Sequence, residues 1–110
     1  MSKKIKIVSR TSTEPINQAM TVVPNAPLFE IVNTGNVMMY IDNIPYYPGE
    51  RFGVDSSLGA LLAVMSEKDF EIVDLTEYNV TFGSVVVDTV LYGNDPFIRA
   101  TLRRTKYSRE

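Results

Sequence analysis

The residues best suited to chemistry in this sequence are five carboxylates that fall within the segment 67–77. They are Glu67, Asp69, Glu71, Asp74 and Glu77. Grouped carboxylates can coordinate calcium or act as an acid–base pair, but this group lacks the spacing of an EF-hand loop. On a strand, Asp69 and Glu71 would alternate with Phe70 and Ile72, which is the pattern of a half-buried edge strand. We therefore predict a solvated strand face here and no metal site.

Two residue types that often carry catalysis are absent from the chain. Its 110 residues include no cysteine and no histidine. Their absence removes the usual zinc ligands, the commonest general base, and both the Ser-His and the Cys-His nucleophile pairs. The six glycines are scattered, and they form neither a phosphate loop nor a dinucleotide-binding fingerprint. We predict that the protein is not an enzyme and needs no cofactor.

Charge is divided sharply along the chain, although the net charge is only −2. The first ten residues carry four bases and no acid: Lys3, Lys4, Lys6 and Arg10. The last twelve carry five bases against Glu110: Arg99, Arg103, Arg104, Lys106 and Arg109. Residues 11–98 hold twelve acids and two bases. Both ends are thus near +4 and the middle is near −10.

This division has three interpretations. The basic ends can lie beside acidic strands of the same molecule, where surface ion pairs contribute little. They can instead reach an acidic surface on a neighbouring subunit, where complementary potentials favour encounter and fix the register. The sequence leaves these two open. Binding to nucleic acid is the least favoured of the three, because the acidic middle of the chain would repel phosphates.

Three tyrosines, Tyr40, Tyr46 and Tyr47, flank the turns of residues 43–49. Exposed tyrosines near a loop tip can form a contact patch, since aromatic side chains bury much area at little entropic cost. They can equally cover one end of the core. The candidate interaction residues are therefore these tyrosines and the nine bases of the two ends.

The elements that must position these residues are mostly strands. Alternating or β-branched segments, separated by Pro, Gly and Asn turns, predict about seven or eight short strands. There are nine candidate segments, of which 4–9 can instead be an extended arm: 4–9, 19–23, 28–32, 37–41, 50–54, 70–74, 77–82, 84–92 and 97–107. Segments 28–32 and 37–41 are predicted to form a hairpin across the turn 33–36, in which Gly35 supplies a positive φ.

One segment departs from the β pattern. Leu58, Leu61, Leu62 and Met65 follow the spacing of one helix face, after good N-cap candidates. Gly59 weakens this helix by about 1 kcal/mol relative to alanine. We predict one short helix near residues 56–67.

Together these elements predict an all-β, single-domain β-sandwich or small barrel over residues 1–110. Residues 1–17 are a candidate extended N-terminal arm, and residues 99–110 a basic C-terminal strand. We find no signal peptide and no apolar run long enough to cross a bilayer. We therefore expect the protein to be made in the cytoplasm. This expectation applies equally to a protein of the cell itself and to one made by an infecting virus.

The sequence of residues 28–54 is similar to sequences in a known group of proteins. Phe29-Glu-Ile-Val-Asn-Thr-Gly-Asn36, Val37-Met-Met-Tyr-Ile-Asp-Asn43 and Tyr47-Pro-Gly-Glu-Arg-Phe52 resemble small β-rich virion proteins of tailed bacteriophages, including capsid-associated proteins of the crAss-like group. The resemblance implies a virion component present in many copies, such as an auxiliary capsid (decoration), head-fibre or connector subunit. It also implies no active site and no cofactor.

Our leading prediction is a virion structural protein that binds the major capsid protein or copies of itself, as a homo-oligomer or within a repeating assembly. The first alternative is a module that binds a carbohydrate or peptide, or a receptor, at the tyrosine-bearing loops. The second is a small nucleic-acid-binding barrel that uses the C-terminal strand. None of these involves a membrane.

Overall fold

A computed structural model describes residues 6–66, 72–90 and 92–109 of the chain. Lys3 and Lys4 lie outside these residues, as do Glu67, Asp69 and Glu71. The elements are β1 (Ile7–Ile16), β2 (Met20–Val22), β3 (Leu28–Asn33), β4 (Val37–Ile41), β5 (Ile44–Tyr46), β6 (Arg51–Asp55), α1 (Ser57–Met65), β7 (Tyr78–Val86) and β8 (Ala100–Arg109). The predicted all-β fold with one short helix is confirmed for the described part of the chain.

The strands form two antiparallel four-stranded sheets. The first, sheet A, has the order β1-β8-β3-β6, and the second, sheet B, has the order β2-β7-β4-β5. Every second residue of β3 and of β4 is buried, which is what a strand requires when one of its faces covers a core. The two sheets therefore make a sandwich.

The core lies between the inner faces of the two sheets. Sheet A contributes Phe29, Ile31 and Leu102, and sheet B contributes Met39 and Ile41; all five are at most 3% exposed. Phe29, Phe52 and Tyr78 pack against one another, with the ring centroids of the three pairs 5.2–6.0 Å apart. Tilted ring pairs at such distances are favourable beyond the area that they bury.

The predicted hairpin across residues 33–36 is wrong. β3 pairs with β6 and β8 in sheet A, whereas β4 pairs with β5 and β7 in sheet B, so the turn carries the chain from one sheet to the other. Stacking β3 over β4 places their two apolar faces against each other. Asn33 holds the crossing, because its side-chain amide donates to the carbonyls of Val37 at 2.8 Å and Tyr46 at 3.1 Å.

Gly35 serves a different purpose from the one that we predicted. The described glycines with positive φ are Gly49 and Gly93, not Gly35. A Cβ at Gly35 would collide with the main chain at Phe97 and Arg99, so this position needs glycine because another backbone passes against it. Gly49 has a φ of 88°, as a type II turn centred on Pro48-Gly49 requires.

Several predicted strand limits also change. β1 continues beyond residue 9 through the polar residues 10–14 to Ile16, and β7 runs unbroken across Gly83 where two strands were predicted. Residues 72–74 form no strand, and the rest of the predicted strand 70–74 lies outside the described residues. β8 begins at Ala100, later than the predicted start at residue 97.

The predicted helix is confirmed as α1, but its large apolar side chains do not face the core. Leu58, Leu62 and Met65 are 72%, 56% and 51% exposed, whereas Ala60 and Ala63 are buried. The helix packs beside β8, where small residues allow the close approach.

Candidate interaction surface

The two basic ends of the chain meet in one structure. β1 and β8 pair antiparallel over ten residues, from Ile7 opposite Arg109 to Ile16 opposite Ala100. We call these two strands the basic ribbon. The expected arm of residues 1–17 is thus, over residues 7–16, a strand paired with the C-terminal strand of the same chain.

The basic ribbon extends beyond the rest of sheet A. β3 pairs with β8 only between residues 100 and 105, so residues 106–109 have β1 as their strand partner on one side and α1 packing nearby. The molecule measures 64 × 24 × 16 Å with a radius of gyration of 17.2 Å. A compact domain of this length would have a radius of about 13 Å, so the fold is distinctly elongated.

The ribbon and the residue before it concentrate positive charge. Their described bases are Lys6, Arg10, Arg103, Arg104, Lys106 and Arg109. Glu14 is the one acid among the described residues of the ribbon. Arg10 lies directly opposite Lys106, and like charges in opposed positions destabilise a strand pair.

Arg104 and Arg109 bind within the molecule. Arg104 is half-buried, donates to the Pro24 carbonyl at 3.0 Å, and forms an ion pair with Glu14. Arg109 donates to the carbonyls of Val64 at 2.6 Å and Met65 at 3.0 Å, where the carbonyl groups in the last turn of α1 favour a cation. Both arginines therefore hold the ribbon to the body.

The five other predicted bases among the described residues are exposed to solvent, Lys6 among them. Arg10 and Lys106 lie on the face of the ribbon that continues the inner face of sheet A, and Arg103 lies on the opposite face. Arg99 is also exposed but precedes β8. The structure thus brings Arg10 and Lys106 together, and separates Arg103 and Arg99 from them.

Arg103 borders a groove of about 420 Å³ on the outer face of sheet A. Glu30 and Arg51 lie in this groove and form an ion pair of 3.0 Å. The two central charges of the groove therefore neutralise each other. Gly53 also lines the groove, and its lack of a side chain leaves space there.

The three tyrosines do not form one patch. Tyr46 packs against the core, with its ring 6.2 Å from that of Phe52. Tyr40 follows Met39, which is fully buried, so it points to the outer face of sheet B. Tyr47 is 61% exposed. A binding site that needs all three side chains together is not present.

The open edge of β1 is a feature that we did not predict. Among the described residues no strand pairs with its outer side, and nine of its ten residues are exposed or half-buried. An unpaired edge presents main-chain donors and acceptors to any strand of another chain. Thr11 and Thr13 could have indicated from the sequence that this polar segment forms a strand, because threonine favours strands.

In the described part of the carboxylate segment 67–77, Asp74 accepts hydrogen bonds from the Thr76 amide and the Tyr78 hydroxyl. Burial alone would raise the pKa of Asp74, but hydrogen bonds from Thr76 and Tyr78 outweigh it and lower the pKa overall. Burial raises the pKa of Tyr78, and its hydrogen bond to the negative Asp74 raises it further. The pair is thus held as a carboxylate and a neutral phenol, which suits a structural contact.

Within residues 6–66, 72–90 and 92–109, no group of three or more acidic side chains is arranged to hold a metal ion. No helix in this part of the chain is long and apolar enough to span a membrane. The described surface can thus pair main chain with main chain and attract negative charge.

Comparisons with family models, curated proteins and solved structures found no match for this chain.

Proposed function

We propose that this protein is a structural subunit that binds other protein subunits through the basic ribbon. The observation that carries the proposal is the joining of both basic ends in one exposed ribbon with an open edge. The setting that we propose is a bacteriophage virion, with the major capsid protein or copies of the chain itself as partners. This setting rests on the resemblance of residues 28–54 to auxiliary capsid proteins.

Charge supports a protein partner with an acidic surface. Arg10 and Lys106 repel each other within the monomer, so a carboxylate brought between them would relieve a strain that the isolated chain retains. Copies of the chain offer such groups away from the ribbon. The exposed acids of the described body are Asp42, Glu50, Asp55, Glu77 and Asp95.

Backbone geometry supports the same conclusion. β1 is joined to the body chiefly by its ladder with β8, and only Ile16 at its end is fully buried. A two-stranded ribbon is marginally stable by itself in water. Addition of a strand from another subunit would cover the exposed edge and give the contact a fixed direction.

The test is the native mass of the full chain, measured by multi-angle light scattering at low and high ionic strength. We expect an assembly larger than one chain that weakens as salt screens the charges. Arg10→Ser and Lys106→Ser should weaken it, whereas Arg51→Ser, which removes the same charge from the opposite edge strand of sheet A, should not. A monomer at every salt concentration would contradict the proposal.

Nucleic acid is the second candidate partner, and the same clustering of bases favours it. A two-stranded β-ribbon fits the major groove of duplex DNA. Binding of a random-sequence duplex, measured by fluorescence anisotropy, would then fall by about one log unit per log of salt for each phosphate contacted. Affinity for the duplex that is lost in Arg10→Ser but kept in Arg51→Ser would favour this candidate over a protein partner.

A further inference from the structure

We infer that the open edge of β1 pairs with β1 of a second copy, antiparallel, about a two-fold axis at Ser12. This inference rests on the proposed function and names the partner as the chain itself. The two sheets A would then join into one sheet of eight strands, with the two copies of β1 at its centre.

Pro15 indicates which main-chain groups face the open edge. A proline within a strand occupies a position whose missing N–H would point away from the paired neighbour, and alternation then turns Ser9, Thr11 and Thr13 outward with it. The hydroxyl groups of Thr11 and Thr105 lie 2.9 Å apart, as in the closer, non-hydrogen-bonded type of cross-strand pair. Thr11 and Thr13 thus have groups available for a second ladder.

The side chains of β1 are complementary to themselves in this register. With Ser12 opposite Ser12 of the second copy, Arg10 lies opposite Glu14, and Val8 lies opposite Ile16. Opposite charges and apolar pairs in opposed positions both stabilise strand pairing. Because the axis repeats each pair, the interface contains two of each kind, as an isologous contact requires.

Neighbouring registers lack this complementarity. An axis at Thr11 places Glu14 opposite Val8, and an axis at Thr13 places Arg10 opposite Ile16. An axis at Arg10 places that arginine opposite itself. The charge pattern of β1 therefore selects the axis at Ser12.

The pairing also resolves the repulsion inside the ribbon. Arg10, which faces Lys106 in its own chain, gains the carboxylate of Glu14 from the other copy. Glu14 already pairs with Arg104, and its two oxygens can accept from a second guanidinium. The acid then lies between two bases that belong to different copies.

A disulfide tests the register directly, because the chain has no cysteine of its own. In Ser12→Cys the paired Cα atoms would be about 4.5–5.5 Å apart, which is within the span of a disulfide. Ser9→Cys is the matched control on the same strand, since its two copies would be roughly 20 Å apart. We expect oxidised Ser12→Cys to run as a crosslinked dimer in non-reducing electrophoresis, and Ser9→Cys to remain a single chain.

Charge variants in the Ser12→Cys background complete the test. Arg10→Glu should reduce crosslinking because it places two acids opposite each other, whereas Arg99→Glu, outside the ribbon, should leave it unchanged. Equal crosslinking of Ser12→Cys and Ser9→Cys would overturn the inference. If light scattering still finds a salt-sensitive assembly in that case, the proposed function stands and the contact lies elsewhere; a monomer without any crosslink overturns both.

Discussion

At the scale of single residues, the fold depends on buried amides at the crossing between its sheets. Asn36 is 1% exposed, and its side chain accepts from the Phe97 amide at 2.6 Å and donates to the Asp95 carbonyl at 2.8 Å. These two bonds fasten the crossing to the segment that leads into β8. The Asn36 side chain thus provides a hydrogen-bond partner for one main-chain N–H and one main-chain carbonyl, which would otherwise lose a bond in a partly buried setting.

Replacement of this asparagine should be strongly destabilising. Asn36→Ala leaves one donor and one acceptor of the main chain unpaired, which we expect to lower the free energy of unfolding by about 2–4 kcal/mol. Urea unfolding measures this as a lower midpoint at unchanged slope. The control is Asn17→Ala, at an exposed position, with an expected change within about 0.5 kcal/mol. Equal effects of the two variants would contradict this role for Asn36.

At the scale of elements, α1 buries its small residues and leaves three of its large ones, Leu58, Leu62 and Met65, exposed to solvent. Ala60 and Ala63 face the body, and Arg109 binds the carbonyls at the end of the helix. The large apolar stripe is the usual buried face of a helix, but the buried residues of α1 are alanines, which allow close contact with a strand. The helix is thus attached to the ribbon through hydrogen bonds as well as through the contacts of its alanines.

The same substitution at two leucines tests this orientation. Leu62→Ala, at an exposed position, should change the free energy of unfolding by no more than about 0.5 kcal/mol. Leu102→Ala, at a position 3% exposed in the core, should lower it by about 2–5 kcal/mol. Thermal or urea unfolding of both variants makes the comparison. A large loss in Leu62→Ala would mean that the helix buries its leucine face.

At the scale of the whole molecule, stability is distributed unevenly along the long axis. The core lies between β3 and β4, whereas the far end of the ribbon has few buried side chains. Local opening needs least free energy where burial is lowest. The elongated molecule therefore consists of a well-packed sandwich and, at one end, a ribbon with fewer buried side chains.

Amide hydrogen exchange should show this gradient. We expect amides of residues 106–109 to exchange much faster than those of β3 and β4, and their protection to rise with salt in a monomeric sample, because salt screens Arg10 from Lys106. Conditions that favour self-association should protect β1 further. Uniform protection from β1 to β4 in the monomer would contradict an unevenly stable fold.

The local pattern of apolar, polar and turn residues was enough to predict the class of fold and many of its elements. Alternation in residues 28–32 and 37–41 identified strands whose inner faces are buried, because side chains of a strand alternate between its two faces. Pro, Gly and Asn residues identified the breaks between strands, since these residues favour turn conformations. The division of charge between the ends and the middle was also plain from the sequence.

The tertiary structure alone decided which strands are neighbours. Alternation fixes which side of a strand faces the core but not which strand lies beside it, and so β3 and β4 were wrongly expected to form a hairpin. For the same reason the sequence left open where the basic ends lie. Pairing of β1 with β8 brings residues from opposite ends of the chain together, and only this long-range contact turns two basic segments into one ribbon with an open edge.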